Sequence, residues 1–412
     1  MLRLHGIIRR QTAARKQLHV INKSLLFCFL LMACLSTICS VALPPVALAS
    51  NIDGKFYLPE NLFSDTATYF IAASDATATE KAQADVVCDG KADQVEINAA
   101  IIAGHNHIVL SSGTFAIGAQ IVLASNIWLQ GQGAGTIIKI GGDYSGIKVI
   151  GCTYFTLSDF EVDGDNKNTG LGSHSIYIRT GCSHFTVRDL RVVNSHSFSL
   201  MFDDDCSYGV VDNIYCLSSN EAYHDGVHLN GCSNMTVSNI YGSTGDDLLC
   251  IGSKTVATSH ITATNISGVS GMAHLCRIYI AEHASAGAAV SDITVSNISG
   301  TAKRLLIINS DTNGTISRVS VNNISGVGTA NGIRADTTAG GTISDINIDG
   351  FSVSGSSTYG VFINGVTRGA LTNGSILNCS DHSLLLRANT AFKCDNINIK
   401  TEVASRSGVA VD

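Results

Sequence analysis

The sequence predicts an all-β protein, a right-handed parallel β-helix of about ten stacked coils, and three observations support this prediction. A motif recurs along the 412 residues at intervals of 24 to 32 residues. Its equivalent positions are Cys152, Cys182, Cys206, Cys232, Thr258, Val290, Ile316 and Ile343. Each copy alternates apolar and polar residues, which is typical of strands with one buried face. The composition, with 40 glycines and only 14% charged residues, excludes a coiled coil or a helical bundle.

Stacking follows from the size of each repeat. Two or three short strands with no helix between them cannot bury an apolar face alone, whereas stacked repeats share one continuous core. The right hand of the coil is an expectation, because the period alone does not define it.

Residues 1–49 are predicted to be a signal peptide. Six basic residues, the last of them Lys23, precede an uncharged apolar stretch, and Ala47-Leu48-Ala49 fits a small-residue cleavage site. An uncleaved anchor is the alternative, because the uncharged stretch is long enough to cross a bilayer. We therefore expect a secreted or extracytoplasmic protein with no membrane contact after cleavage, displayed at the cell surface if the segment stays attached.

One helix is predicted near residues 93–103, inside a single β-helix domain that spans residues 50–412. Asp93 and Glu96 fit a capping box, and Gly104 is a stop signal. The apolar positions between them are Val95, Ile97, Ala100 and Ile101. Such a helix would cap the open end of the solenoid, where a bare strand edge would otherwise pair with other chains.

Four cysteines occupy the same place in successive repeats, namely Cys152, Cys182, Cys206 and Cys232. We expect them to stack as an inward ladder of small apolar groups rather than to form disulfides or to bind metal. No Cys-x-x-Cys pair is present, and a zinc site normally needs converging thiolates with histidine partners.

Four asparagines begin Asn-x-Ser/Thr sequences that also match glycosylation sites, namely Asn234, Asn265, Asn297 and Asn323. Asparagine tolerates left-handed backbone conformations and bonds its own backbone in turns. We therefore expect these residues to form the turns of the coils.

The charge distribution excludes two classes of partner. Six of the 26 basic residues and none of the 33 acidic residues lie in residues 1–49, so the remainder carries a net charge of −13. A body this acidic repels nucleic acid and anionic lipid. A polyanionic substrate would need a local basic patch.

Three aspartates cluster where the alternation can be followed from one coil to the next. Val227 and Leu249 are predicted to point inward on adjacent coils. Asp225 and Asp247, two residues before them, then share one column, and Asp246 is offset by one residue. Repulsion between three close carboxylates raises at least one pKa, which supplies a general acid beside ionised bases. A solvated acidic turn and a structural calcium site stay open as alternatives.

The pattern Asp225-Gly226, followed one coil later by Gly245-Asp246-Asp247, resembles the polygalacturonases of glycoside hydrolase family 28, in the pectate-lyase-like β-helix superfamily. The resemblance covers about residues 150–310. It implies an inverting hydrolase of pectin-like or other acidic polysaccharides that uses no metal and no cofactor. It gives Asp246 the role of general acid and gives Asp225 and Asp247 the activation of water, with acid and base about 6.5–9.5 Å apart.

His274 is the third element of the resemblance. It falls on the next coil, in the column of Asp225 and Asp247, where it would tune the acid and orient the substrate. The arginine and lysine that bind the substrate carboxylate in the family have no exact counterpart. Either Arg304 on the following coil or Arg277 on the histidine coil is expected to take their place.

Two further histidines are expected to contact the substrate. His224 directly precedes Asp225 and replaces a threonine of the family pattern, and His228 faces outward beside Asp225.

Two other functions remain open at this stage. A polysaccharide lyase on this fold would use calcium and an arginine base, for which Arg277 is available. A non-catalytic β-helix would bind glycan or serve as a surface spacer, and it would tolerate substitution of Asp225 and Asp246. For the hydrolase we expect a monomer whose partner is a polysaccharide.

Overall fold

The computed structural model describes residues 67–400 and 409–411, apart from residues 168, 171, 220, 311, 312 and 339. The backbone winds into a parallel β-helix of about 11 turns, which confirms the predicted fold class. The predicted signal peptide, residues 1–49, lies outside the described residues. Among the described residues, no helix is long and apolar enough to cross a membrane.

Each regular coil consists of a long strand followed by a short one. The long strand bends near its middle, so that its first half lies in a first sheet and its second half in a second sheet. The short strand lies in a third sheet. The bend falls at a residue with positive φ, such as Asn213 at 54° and Asn239 at 56°, and asparagine tolerates this conformation better than most residues.

The long strands are Thr153–Asp163, Ser183–Ser195, Ser207–Ser218, Ser233–Thr244, Thr258–Ser270, Ala289–Ser310, Thr315–Thr337, Thr342–Ser354, Val366–Leu377 and Thr390–Lys400. The ends of Ala289–Ser310 and Thr315–Thr337 continue into the third sheet. The separate strands of the third sheet are Ile121–Val122, Ile147–Ile150, Ile176–Arg179, Leu200–Asp203, Val227–Asn230, Leu249–Ser253, His274–Ile280, Val361–Asn364, Leu384–Arg387 and Val409–Val411. The first coils use Tyr69–Ala72, Val86–Val87, His107–Leu110, Gly113–Ile117, Trp128–Gln130 and Thr136–Ile140.

Two helices lie among the first coils, α1 at Ala78–Gln83 and α2 at Gln94–Ile102. Helix α2 falls within the predicted span 93–103. It buries Ile97, Ala100 and Ile101 in the core, as its apolar spacing predicts. That α2 caps the open end of the solenoid stays a prediction.

The start of α2 differs from the prediction. Asp93 makes no side-chain cap, because its carboxylate accepts hydrogen bonds from the N–H groups of Gly90 and Ala116 instead. Val95, predicted on the apolar face, is 58% exposed. The complete capping box belongs to α1, where Thr77 and Glu80 bond reciprocally.

The repeat cysteines form the predicted inward ladder. Cys152, Cys182, Cys206 and Cys232 are buried free thiols, and the thiol of Cys206 donates to the carbonyl oxygens of Ile178 and Asp203. On the following coils the same buried position is taken by Thr258, Val290, Ile316 and Ile343.

A second ladder runs along the bends of the long strands. Asn265, Asn297 and Asn323 have φ values of 60°, 59° and 59°. The amide of each donates to the side-chain oxygen of the asparagine one coil earlier, beginning with Asn265 Nδ2 to Asn239 Oδ1 at 2.8 Å. These asparagines and Asn234, with φ 54°, adopt the turn conformation that the sequence predicts.

Candidate active site

The predicted catalytic residues lie at the edge of the third sheet where each coil enters its short strand. Val227 pairs with Leu249, and the same register continues onto the next coil. This register places Asp225, Asp247 and His274 in one column, as predicted from the alternation. All three side chains are buried, with exposures of 3%, 1% and 8%.

The column continues beyond the histidine. His274 pairs with Arg304, and Arg304 pairs with Asn331 on the following coil. The stack is therefore two carboxylates, an imidazole, a guanidinium and an amide, in that order. These side chains follow one another on neighbouring coils, because register in a solenoid repeats one position at every turn.

Asp247 is the best-paired carboxylate of the cluster. One of its oxygens lies 2.6 Å from His274 Nδ1, and the other lies 3.7 Å from Arg277 Nη1. Burial by itself would raise the pKa of Asp247, but His274 and Arg277 more than offset it and hold the pKa below its ordinary value. The far nitrogen of His274 lies 3.1 Å from Arg304 Nη1. Asp247 is thus kept ionised.

Asp225 has the opposite electrostatic environment. Burial raises the pKa of its carboxyl to about 6; a hydrogen bond from His228 opposes this, and Asp247 adds to it. His228 Nδ1 lies 2.6 Å from Asp225 Oδ2, and His228 Nε2 lies 3.2 Å from the hydroxyl of Tyr279. The N–H of Asp247 donates to the second oxygen of Asp225 at 3.1 Å.

Asp246 is the most accessible of the three acids. Its side chain is partly exposed, and its Oδ2 accepts a hydrogen bond from the N–H of Tyr223 at 2.9 Å. Burial, reinforced by the negative charge of Asp247, raises its pKa. One oxygen of each of Asp225, Asp246 and Asp247 lies within 4.8 Å of the others. Asp225 and Asp246, whose pKa values are raised, therefore lie beside Asp247, whose pKa is lowered.

Both predicted arginines belong to this cluster. Arg277 lies over the ring of Tyr279 at 4.3 Å and donates to Asn309. Burial disfavours its charge, but the acidic groups around it, Cys250 and Asp247 first, more than offset this and raise its pKa. Burial lowers the pKa of Arg304, whose Nε donates to Asn331 at 3.1 Å. The two cations therefore form a local basic patch beside the aspartates.

The structure does not place His224 in contact with the cleft. Its side chain is only 1% exposed, and its Nδ1 lies 2.8 Å from the hydroxyl of Ser219. The ring therefore supports its own loop, and its predicted role in substrate binding has no support from this geometry. His228 is 7% exposed and is held by Asp225 and Tyr279. His228 thus positions Asp225.

Sequence reasoning missed several residues of the site. Phe198 stacks under His228 with ring centroids 4.6 Å apart, and Cys250 is buried beside Asp225 and His228. Asn331 supports Arg304 from the next coil. Phe198 and Asn331 could have been found from the register, since each lies two residues before the inward position of its coil.

Besides Asp225, His228 and Cys250, two further groups of side chains near the site have donor atoms close enough to bind a metal ion. One is the three aspartates, whose all-oxygen ligands suit Ca²⁺ or Mg²⁺. The other comprises His196, Glu221 and His224 in the adjoining loops. The aspartates also suit proton transfer, because the pKa of Asp246 is raised and the pKa of Asp247 is lowered.

Comparison with solved structures shows what the fold resembles. The hyperthermoactive exopolygalacturonase from Thermotoga maritima has a TM-score of 0.58 and 12% identity, covering 74% of this chain and 87% of that one. The polygalacturonase from Erwinia carotovora has a TM-score of 0.55 and 14% identity, covering 83% and 97%. An endo-xylogalacturonan hydrolase from Aspergillus tubingensis has a TM-score of 0.50 and 13% identity, covering 82% and 95%.

These similarities establish the fold. No protein-family model matches the sequence, and no curated protein matches it. The chain is a right-handed parallel β-helix with the fold of the polygalacturonases. At identities of 12–14% its chemistry has to be argued from its own residues.

Proposed function

We propose that the protein is an exported glycoside hydrolase that cleaves a pectin-like or other acidic polysaccharide. The observation that carries the proposal is a cluster of three carboxyl groups, with oxygens within 4.8 Å of one another, whose pKa values are shifted in opposite directions. The pKa of Asp246 is raised and that of Asp247 is lowered, although the two residues are adjacent in sequence. Hydrolysis of a glycosidic bond needs one carboxylic acid and one carboxylate on opposite sides of the reacting carbon.

The roles follow from access and charge. Asp246 is partly exposed and its pKa is raised by burial and by Asp247, so it is the group that protonates the leaving glycosidic oxygen. Asp247, held ionised by His274 and Arg277, accepts a proton from the attacking water. Asp225 bonds to the N–H of Asp247 and completes the water-binding pair when it is ionised. The C–O bond to the leaving group breaks as the bond from the water oxygen forms.

The arginines support an acidic substrate. Arg277 and Arg304 are partly buried cations on the coils that follow the aspartates. Guanidinium groups pair well with carboxylates, and sulfate or uronate groups on a polysaccharide offer that partner. The similar fold of a polygalacturonase and a xylogalacturonan hydrolase supports the same substrate class.

Arg277 disfavours the lyase alternative. A lyase needs a neutral base to remove a proton from carbon, whereas the surroundings of Arg277 raise its pKa and keep it protonated. Its guanidinium also faces Asp247 and the ring of Tyr279. These contacts suit a group that binds charge.

Stereochemistry is a separate part of the proposal. Inversion follows from the family resemblance, whereas the oxygens of the three aspartates approach within 4.8 Å. Carboxyl groups of inverting pairs are about 6.5–9.5 Å apart and those of retaining pairs about 5–5.5 Å. Proton NMR of the first-formed anomer decides between them, and a product with the substrate's anomeric configuration would refute inversion.

The test of hydrolysis is the release of reducing ends from a panel of acidic and neutral polysaccharides. Asp246→Asn should lose about 100- to 10,000-fold in rate, since general acid catalysis contributes about 10²–10⁴-fold. Asp205→Asn is the matched control, because Asp205 is exposed and has a left-handed φ that asparagine tolerates. An unsaturated, ultraviolet-absorbing product would identify a lyase, and equal rates in Asp246→Asn would refute the assigned acid.

A further inference from the structure

We propose that His196, Glu221 and His224 form a binding site for a zinc-type divalent transition-metal ion beside the catalytic carboxylates. His196 lies in the loop after the strand Ser183–Ser195, and the other two lie in the equivalent loop one coil later. One ligand atom from each residue lies within 4.8 Å of the others. His196 Nε2 and Glu221 Oε2 are 3.8 Å apart, and the two imidazole centroids are 4.9 Å apart.

The donor set selects the metal. Two imidazoles and one carboxylate are the ligands that Zn²⁺ accepts, whereas Ca²⁺ and Mg²⁺ prefer oxygen ligands throughout. Three protein ligands leave one position of a tetrahedral ion for water. The aspartate cluster, in contrast, offers oxygen alone. The two groups are therefore chemically distinguishable sites.

The buried ligand is already oriented. His224 Nδ1 lies 2.8 Å from the hydroxyl of Ser219 and 3.2 Å from its carbonyl oxygen. A hydrogen bond from Nδ1 to such an acceptor fixes the ring and its tautomer, so that coordination falls to Nε2. Glu221 is exposed, and its free rotation allows the carboxylate to close onto an ion that the two rings bind first.

A bound ion would hold the loop that supports the general acid. The N–H of Tyr223 donates to Asp246 Oδ2 at 2.9 Å, and the N–H of Asp246 donates to the carbonyl oxygen of His224 at 3.3 Å. An ion joining His224 to His196 would tie this loop to the preceding coil. It would act as a positioning element for Asp246 and take no part in the bond-breaking step.

The experiment is a Zn²⁺ titration of untagged protein against a chromophoric chelator, together with thermal unfolding with and without Zn²⁺. His196→Ala and Glu221→Gln should each weaken Zn²⁺ binding at least about 100-fold, because losing even an outer-shell partner costs about 10–100-fold. Glu221→Gln alters an exposed side chain, so folding is not at risk. Zn²⁺ should raise the unfolding midpoint of the unmodified protein and not that of either variant.

Two control variants show where the Zn²⁺ ion binds. His283→Asn removes an exposed histidine outside the cluster, at a positive φ that asparagine tolerates, and should leave Zn²⁺ binding unchanged. Asp246→Asn removes one of the three clustered aspartates and should also leave it unchanged. The proposal is overturned if His196→Ala still binds Zn²⁺, if Asp246→Asn no longer binds it, or if the unmodified protein does not bind it. Because the titration uses no sugar, its outcome is independent of the proposed hydrolase activity.

Discussion

Replacing Asp225 by Asn should stabilise the protein at neutral pH and not in acid. Burial raises the pKa of this carboxyl from 3.8 to about 6, so the fold favours its protonated form. The stability that the protonated form contributes is complete below pH 3.8 and is lost as the pH rises through about 6. At about 1.4 kcal/mol for each tenfold change in an equilibrium constant, the loss by neutral pH is about 3 kcal/mol.

Asparagine keeps the shape of the residue and removes the charge. Its side-chain oxygen still accepts the N–H of Asp247, and His228 can turn its lone pair toward the new amide by a change of tautomer. The cost of ionising a buried acid is then absent at every pH. The variant loses the catalytic carboxylate at the same time, so stability and activity should change in opposite directions.

Urea unfolding at pH 4 and pH 7.5 measures the effect. The free energy of unfolding of Asp225→Asn, taken relative to the unmodified protein, should rise by about 2.4 kcal/mol between the two pH values, because the unfolded carboxyl is already more than half ionised at pH 4. Asp205→Asn, which changes an exposed aspartate, should show no such rise. The assignment of a raised pKa to Asp225 would be refuted if the relative stability of Asp225→Asn were the same at both pH values, or lower at pH 7.5.

Three further predictions concern the ladder, the substrate cation and the thiols. Asn265→Ala should lower the free energy of unfolding by about 2 kcal/mol, because it loses the two hydrogen bonds to the neighbouring asparagines of the ladder and puts alanine at a φ of 60°. In the same denaturation assay, the exposed control variant Asn347→Ala should cost under about 0.5 kcal/mol. Arg304→Gln should raise KM for an acidic polysaccharide about tenfold or more, by removing a cation from the cleft, and an unchanged KM would contradict its role. Cys394, the exposed member of the described cysteines, should be alkylated first in the native protein, as mapped by mass spectrometry; equally fast alkylation of the buried ladder would contradict the packing.

Sequence reasoning predicted the column of Asp225, Asp247 and His274 because a solenoid repeats its register. Once Val227 and Leu249 are recognised as inward residues, counting two positions back on each coil locates the site. The same count identifies Arg304, which pairs with His274 in the structure. In this fold, the local alternation of apolar and polar residues therefore predicts which side chains meet across neighbouring coils.

The remaining features depend on loop geometry, which alternation does not describe. The bond between Asp225 and His228 requires the chain to turn sharply into its short strand. His196 and His224 lie in loops of different length on successive coils, four residues and eight, and their ring centroids are 4.9 Å apart. At α2 the side chain of Asp93 bonds to Gly90 and Ala116 across the coil, and tertiary contacts thus overrode a local capping signal.

The most direct test of the central claim is the source of the oxygen atom in the product. An acidic oligosaccharide that the protein cleaves is digested in water enriched in heavy oxygen, and the products are weighed by mass spectrometry before their reducing ends exchange with solvent. The account predicts one heavy oxygen atom at each new reducing end, in the unmodified protein and in Asp205→Asn, and no product from Asp246→Asn. Products without heavy oxygen, or the same yield from Asp246→Asn, would contradict hydrolysis by these carboxylates.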